Sequence, residues 1–199
     1  MLEDARTRGY LGPEPVERHL AHSASLADAI GTFDGTFLDL GSGGGVPGLV
    51  LAVQWTLARG VLLESQRRRC AFLETAVARL GLQARISVRC GRAEHLARDP
   101  ELRGAVDLVV ARSFGRPAVT AECAVGFLGA GGLLVVSEPP EGTADQGGRW
   151  PEEGLGELGL GPAVPVRAGS AGVVVMVAQG APDNRWPRRD GRPAKSPRW

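Results

Sequence analysis

The chain has 199 residues, 43% of them hydrophobic and 23% charged, with a net charge of +1. That size and mix describe one ordinary globular domain with a real core, and the near-neutral balance gives no overall electrostatic case for nucleic acid, leaving that task to local patches. Three cysteines, Cys70, Cys90 and Cys123, are too few and too scattered for a disulfide framework or a zinc site. Small half-buried thiols in a reducing cytosol are expected, and no metal. Residues 1–12 are polar, and no stretch approaches the roughly 18 apolar residues of a membrane span, so a cytoplasmic protein with no membrane partner is expected.

In chain order, residues 1–15 are expected to be irregular, because Pro13 and Pro15 stop an early helix. Val16, Leu20, Ala24, Leu26 and Ile30 recur at helical spacing and predict an amphipathic helix over 16–30. A turn over 31–35 leads to a first strand over 36–40. A crossover helix over 47–58 follows, with Pro47 near its start, where a missing N–H is harmless. Val61, Leu62 and Leu63 form a short buried strand over 60–64 that ends on Glu64, and a helix over 66–80 is closed by Gly81. Strands are predicted at 85–89, 106–111 and 132–137, separated by a helical turn at 93–98 and a helix at 117–128. The nearly continuous apolar run of 106–111 is that of a central parallel strand. Residues 139–161 are rich in glycine and proline, with some helix around 151–158. Two last strands, 164–166 and 173–178, are expected as a hairpin through 168–172.

This alternation predicts an α/β, Rossmann-like domain over 16–182, with a seven-stranded, mostly parallel sheet, a C-terminal β-hairpin and helices on both faces. The terminal hairpin is the variant found in class I methyltransferases rather than in dehydrogenases. A basic, proline-bearing tail over 183–199 follows the domain.

The most informative run is Phe-Leu-Asp-Leu-Gly-Ser-Gly-Gly-Gly-Val-Pro-Gly at 37–48. An apolar strand with an acid near its end enters a glycine loop and continues into an apolar helix, the nucleotide-binding corner of a doubly wound sheet. Gly43, Gly45 and Gly48 fit the dinucleotide pattern, whereas Asp39, Gly41, Gly43 and Gly45 fit the loop that binds S-adenosylmethionine (SAM). The second pattern explains more, since a pyrophosphate has no use for the carboxylate of Asp39, while a cationic sulfonium ligand tolerates one. Glu64 lies about 20 residues beyond the loop, where an acid takes ribose hydroxyls. Ala93 and Glu94 follow the third strand and can flank an adenine. Arg112 follows the fourth strand at the ligand edge, and its fixed charge suits a carboxylate or a phosphate. His19, His22 and His95 form no metal or acid–base cluster. The Ser-Glu-Pro-Pro element at 137–140 follows the fifth strand rather than the fourth, where amino-group methyltransferases carry theirs.

Val-Glu-Arg-His-Leu at 16–20, the glycine run with Val46-Pro47-Gly48, Arg92-Ala93-Glu94, Ala111-Arg112-Ser113-Phe114, and the tail Trp186-Pro187-Arg188-Arg189 with Pro193-Ala194-Lys195 together resemble the ribosomal small-subunit RNA methyltransferase G family. The resemblance implies SAM as cofactor and methyl transfer to N7 of a guanine in 16S ribosomal RNA, offered free or in the small subunit. It also implies that Gly41, Val46, Ala93, Glu94 and Arg112 contact SAM, with Glu64 on the ribose side. His22 stands where the family commonly has an acid. Guanine N7 carries a lone pair and no proton, so no general base is expected and no catalytic residue is named. RNA contact is expected from local basic residues, above all Arg188, Arg189 and Lys195, with Arg67, Arg68 and Arg69 opening a helix elsewhere. Trp186 and Trp199 either stack on bases or pack on the domain. A monomer is expected. The alternatives are a methyltransferase acting on another RNA or a small molecule, and a non-catalytic ribosome- or RNA-binding protein of the same fold.

Overall fold

The computed structural model describes residues 1–138, 148–168 and 171–199. Five parallel strands form the left and centre of one sheet: β1 (Thr36–Leu40), β2 (Arg59–Glu64), β3 (Ile86–Cys90), β4 (Val106–Ala111) and β5 (Leu128–Ser137). The hairpin β6 (Val164–Ala168) and β7 (Ala171–Val177) completes it in the order β3-β2-β1-β4-β5-β7-β6, with β7 antiparallel to both neighbours. The chain reverses its direction of strand addition between β1 and β4, where Leu40 lies between Leu63 and Ala111. That reversal opens a crevice at the carboxyl ends of the strands, the general ligand position in open α/β sheets.

Side chains alternate across the strands and feed two cores. Phe37, Leu62, Leu108 and Val110 face one side, under helices α1 (Leu2–Thr7), α2 (Val16–Ile30), α3 (Gly48–Gln54) and α4 (Arg67–Arg79). Leu38, Leu40, Val109 and Ala111 face the other, under α5 (Ala93–Leu96), α6 (Pro117–Val125) and α7 (Glu152–Glu157). The buried apolar faces are what hold the helices on, since short helices are marginal by themselves. Gly81, at φ +67°, ends α4 as expected.

Four expectations are corrected. Residues 1–15 are not wholly irregular: α1 occupies Leu2–Thr7, carries Glu3 and Asp4 in its first turn and buries Ala5 completely. Pro13 restricts only itself and its predecessor, so it leaves that helix untouched. The fifth strand begins at Leu128, four residues earlier than predicted, because the register slips between Val106 and Leu108 and the glycines at 129–132 take up the bulge. Cys70 and Cys90, read as free thiols, are joined in a disulfide with Cα atoms 5.8 Å apart. The parallel pairing of Glu64 with Cys90 brings the end of β3 beside the start of α4, a proximity that a 20-residue separation hides. Cys123 is free and buried, and burial pushes its thiol above the ordinary range.

The fourth correction concerns the tail. Residues 183–199 pack on the domain and end in the short helix α8 (Arg192–Lys195), which lies on α6. Trp186 is buried, its indole N–H donating to the Glu157 carbonyl at 3.0 Å, and Trp199 donates to the Arg149 carbonyl at 3.0 Å. Of the two uses expected for these tryptophans, packing is the one realised. Pro139 and Pro140, and the turn residues 169–170 of the hairpin, lie outside the described residues.

Candidate active site

The glycine loop leaves β1 and hooks onto β2: the N–H groups of Gly41 and Ser42 both donate to the Leu63 carbonyl at 2.9 Å. Gly45 N–H then closes a tight turn on the Ser42 carbonyl at 2.7 Å. Gly41, Gly43 and Gly45 all have positive φ, the conformation that excludes most side chains. The space around them is also taken. A Cβ on Gly41 would meet the Phe114 ring at 2.6 Å, and one on Gly43 the Tyr10 carbonyl at 3.3 Å. Val46, one residue further on, is buried at the head of α3.

Asp39 lies beneath the loop with 1% of its surface exposed, and its Oδ2 accepts from the Gly48 N–H at 3.0 Å. It shapes the start of α3 and does not line open space. Burial raises its carboxyl to about 7, against the ordinary 3.8.

Glu64 is almost wholly buried and organises the neighbouring backbone. Its Oε1 accepts from the N–H groups of Ser65 (2.7 Å) and Gln66 (2.8 Å), and its Oε2 accepts from Gly43 N–H at 3.0 Å. The Arg69 guanidinium stands 3.9 Å from Oε2. A carboxylate oxygen has two lone pairs, so Oε2 keeps acceptor capacity toward a ligand hydroxyl. Ala93 and Glu94 open α5. Glu94 is buried, and its Oε1 accepts from Arg92 Nη2 at 2.7 Å and from Gly191 N–H at 2.9 Å, which ties the chain terminus to the site. Arg92 holds Glu94 below the usual carboxylate range against the opposing effect of burial.

Arg112 follows β4 directly. Its Nη2 donates to His19 Nδ1 at 2.8 Å, and its Nη1 is buried with no hydrogen-bond partner among the described residues. Burial lowers the guanidinium from its ordinary value. The opposite ring nitrogen, His19 Nε2, lies 3.3 Å from the Gly12 carbonyl. A guanidinium can only donate and a carbonyl can only accept, so His19 is neutral, with its proton on Nε2. The residue after Arg112, Ser113, sits at φ +55°, a strained value for a non-glycine residue, and turns Phe114 onto Gly41. His22, one turn beyond His19, pairs its Nε2 with Ser137 Oγ at 2.6 Å.

The structure therefore brings together Gly41, Gly43, Gly45, Val46, Glu64 and Arg112 around one crevice, with Ala93 and Glu94 at its β3 side. Arg112 and Glu64 flank Gly41 from the two strands on either side of β1, about 10 Å apart by strand spacing. A ligand with a carboxylate at one end and a diol at the other matches a cation and an acceptor so spaced. The expected RNA contacts separate into two kinds. Arg188 is engaged, its Nε and Nη2 donating to the fully buried Glu122 at 2.8 and 2.6 Å, whereas Arg189 and Lys195 are exposed. His19, given no role from the sequence, is the partner that orients Arg112. Its signals were its place in the Val-Glu-Arg-His-Leu run and its helical spacing from Val16, and neither points to Arg112.

The family model described as GidB, rRNA small subunit methyltransferase G, matches residues 12–138. The chain belongs to the rRNA small subunit methyltransferase G family. It is 34% identical over 177 residues to a Prochlorococcus marinus protein named ribosomal RNA small subunit methyltransferase G, covering 80% of this chain and 66% of that one. It is 31% identical over 195 residues to the protein of that name from Pelotomaculum thermopropionicum, covering 92% and 79%. The chain thus spans about two thirds to four fifths of these relatives. Among solved structures, a SAM dependent methyltransferase from Aquifex aeolicus superposes with a TM-score of 0.63 at 15% identity, over 89% of this chain and 98% of that one. P. horikoshii TYW2 in complex with MeSAdo does so with a TM-score of 0.59 at 16% identity, over 85% and 65%. These two likenesses concern the fold, and they agree with the terminal β6–β7 hairpin expected for the methyltransferase variant of the sheet. The matched residues 12–138 include Gly41, Gly43, Gly45, Val46, Glu64, Ala93, Glu94 and Arg112.

Proposed function

We propose that this protein transfers a methyl group from SAM to N7 of a guanine in 16S ribosomal RNA, acting as a cytoplasmic monomer on the free RNA or the small subunit. The observation that carries the reading is the buried Nη1 of Arg112 at the β1–β4 reversal, which has no partner among the described residues and stands beside three glycines of positive φ. A buried guanidinium nitrogen without a partner costs free energy unless something accepts from it. The carboxylate of SAM's methionine part is such an acceptor, and family membership supports that ligand.

The residues present fit the cofactor. Arg112 would hold its carboxylate, Glu64 its ribose hydroxyls and Ala93–Glu94 its adenine, while the loop from Gly41 to Val46 allows close backbone approach. When bound, SAM supplies an electrophilic methyl group on a sulfonium. The chain's own contribution is to hold the reacting groups in line and to keep water out. Phe114 on Gly41 supplies an apolar wall for that purpose. Guanine N7 reacts through its lone pair, so the site needs no proton acceptor, and the neutral, fully engaged His19 agrees with this.

The test is incubation of the protein with methyl-labelled SAM and small ribosomal subunits. Label is expected in 16S RNA with the wild type and strongly reduced with Arg112→Ala. SAM binding measured by calorimetry with no label in RNA would overturn the substrate, and absence of SAM binding would overturn the reading altogether.

A further inference from the structure

The terminal segment is a strap. From residue 182 it follows the α5 and α6 side of the sheet toward the cofactor edge. Arg103 holds the carbonyls of Pro182 (3.2 Å), Asp183 (2.9 Å) and Trp186 (3.2 Å), and Arg98 donates to that of Pro187 at 2.5 Å. Arg188 then locks onto the buried Glu122, and Gly191 N–H reaches Glu94. Between the strap and the end of α5 this course leaves a cleft of about 630 Å³, lined by Arg98, Arg188, Arg189 and Arg192.

The charges in that cleft are not equivalent. Glu122 neutralises Arg188 through two side-chain hydrogen bonds. Arg98 gives one N–H to a neutral carbonyl and keeps its charge. Arg189 and Arg192 are exposed and their side chains have no partner among the described residues. The nearby carboxylates do little to offset them: Glu94 is engaged by Arg92, and Asp190 is exposed and interacts with Arg92. Three uncompensated guanidinium groups therefore face one space much larger than a single phosphate. Its lining offers neither aromatic ring nor side-chain acceptor to read a base edge, which is the composition of a backbone contact and not of a base contact.

We propose that this cleft is a clamp for successive phosphates of the ribosomal RNA backbone, formed by Arg98, Arg189 and Arg192, with Arg188 serving to hold the strap and not the RNA. The inference rests on the RNA substrate proposed above and adds where that RNA is gripped. Because Gly191 lies between the clamp residues and bonds Glu94, RNA held there lies against the β3 side of the cofactor crevice.

The experiment uses the full chain with Arg189→Ala and Arg192→Ala combined, and measures its affinity for 16S RNA over a series of salt concentrations. Each phosphate contact contributes about 0.7 to 0.9 to the slope of log K against log salt. Loss of two contacts should lower the slope by about 1.5 and weaken binding roughly 30-fold near 0.1 M salt, with SAM affinity unaltered. A matched variant, Arg59→Ala with Arg79→Ala, removes two exposed charges at the opposite edge of the sheet and should leave the slope near wild type. An unchanged slope in the clamp variant, or an equal fall in both variants, would overturn the clamp. Methylation of RNA by a wild type whose clamp variant keeps the full slope removes the clamp alone, whereas a wild type that neither binds nor methylates RNA removes the substrate as well.

Discussion

Replacing Asp39 by Asn should reverse sign in its effect on stability as pH rises. The Asp39 carboxyl is buried under the glycine loop and is raised from 3.8 to about 7 in the folded protein. An unfolded chain releases that proton near pH 4, whereas the folded chain keeps it until about pH 7. Across that window the folded state binds more protons, so stability is full below about pH 4 and is lost as pH climbs through 7. A shift of about 3 units corresponds to roughly 4 kcal/mol, at 1.36 kcal/mol per unit. Asparagine keeps an acceptor for Gly48 N–H and does not titrate, but its amide N–H groups lack partners, which costs about 1–3 kcal/mol at every pH. The variant should therefore be the less stable form at pH 4 and the equal or more stable form at pH 8, with the gap moving by about 3–4 kcal/mol. Urea unfolding of both proteins at pH 4, 5, 6, 7 and 8 measures the gap directly, and other titrating groups cancel in the difference. A gap that stays constant within about 0.5 kcal/mol would refute the argument that burial governs this carboxyl.

Arg188→Ala leaves the fully buried Glu122 without its charge partner and should destabilise the fold by about 3–5 kcal/mol. Arg188→Leu combined with Glu122→Leu should recover most of that loss, and thermal unfolding of single and double variants reads both. His19→Ala removes the acceptor that orients Arg112 and should weaken SAM binding about tenfold, the equivalent of one hydrogen bond to a charged group. His19→Asn, which presents an amide oxygen on a side chain of similar reach, should restore most of the affinity in calorimetry. Equal losses in the two variants would mean that His19 acts through packing alone.

The elements that were legible from sequence are those whose signals are local. The glycine run had to be a loop because Gly41, Gly43 and Gly45 need positive φ, and the apolar stretch at 106–111 had to be central because every residue but Asp107 is buried. The β6–β7 hairpin followed from two short valine-rich runs. What escaped notice depends on partners far apart in the chain. His19 and Arg112 are 93 residues apart, Arg188 and Glu122 are 66 apart, and nothing in either neighbourhood marks the other. Arg188 and Arg189 look identical in sequence, yet a buried carboxylate neutralises the first and leaves the second exposed. The extension of β5 was hidden for a different reason: the apolar run at 123–128 fits a helix end and a strand start equally, and the glycine bulge decides between them.

The measurement that bears most directly on the whole account is the chemical position of the transferred methyl. Small subunits from a strain lacking this gene are methylated with the purified protein and SAM, and the 16S RNA is then cleaved by reduction and aniline, a treatment that breaks the chain at N7-methylguanine. The account predicts a new cleavage at a guanine that appears with the wild type and disappears with Arg112→Ala. Labelled RNA that resists this cleavage would place the methyl on another atom and contradict the base-free mechanism.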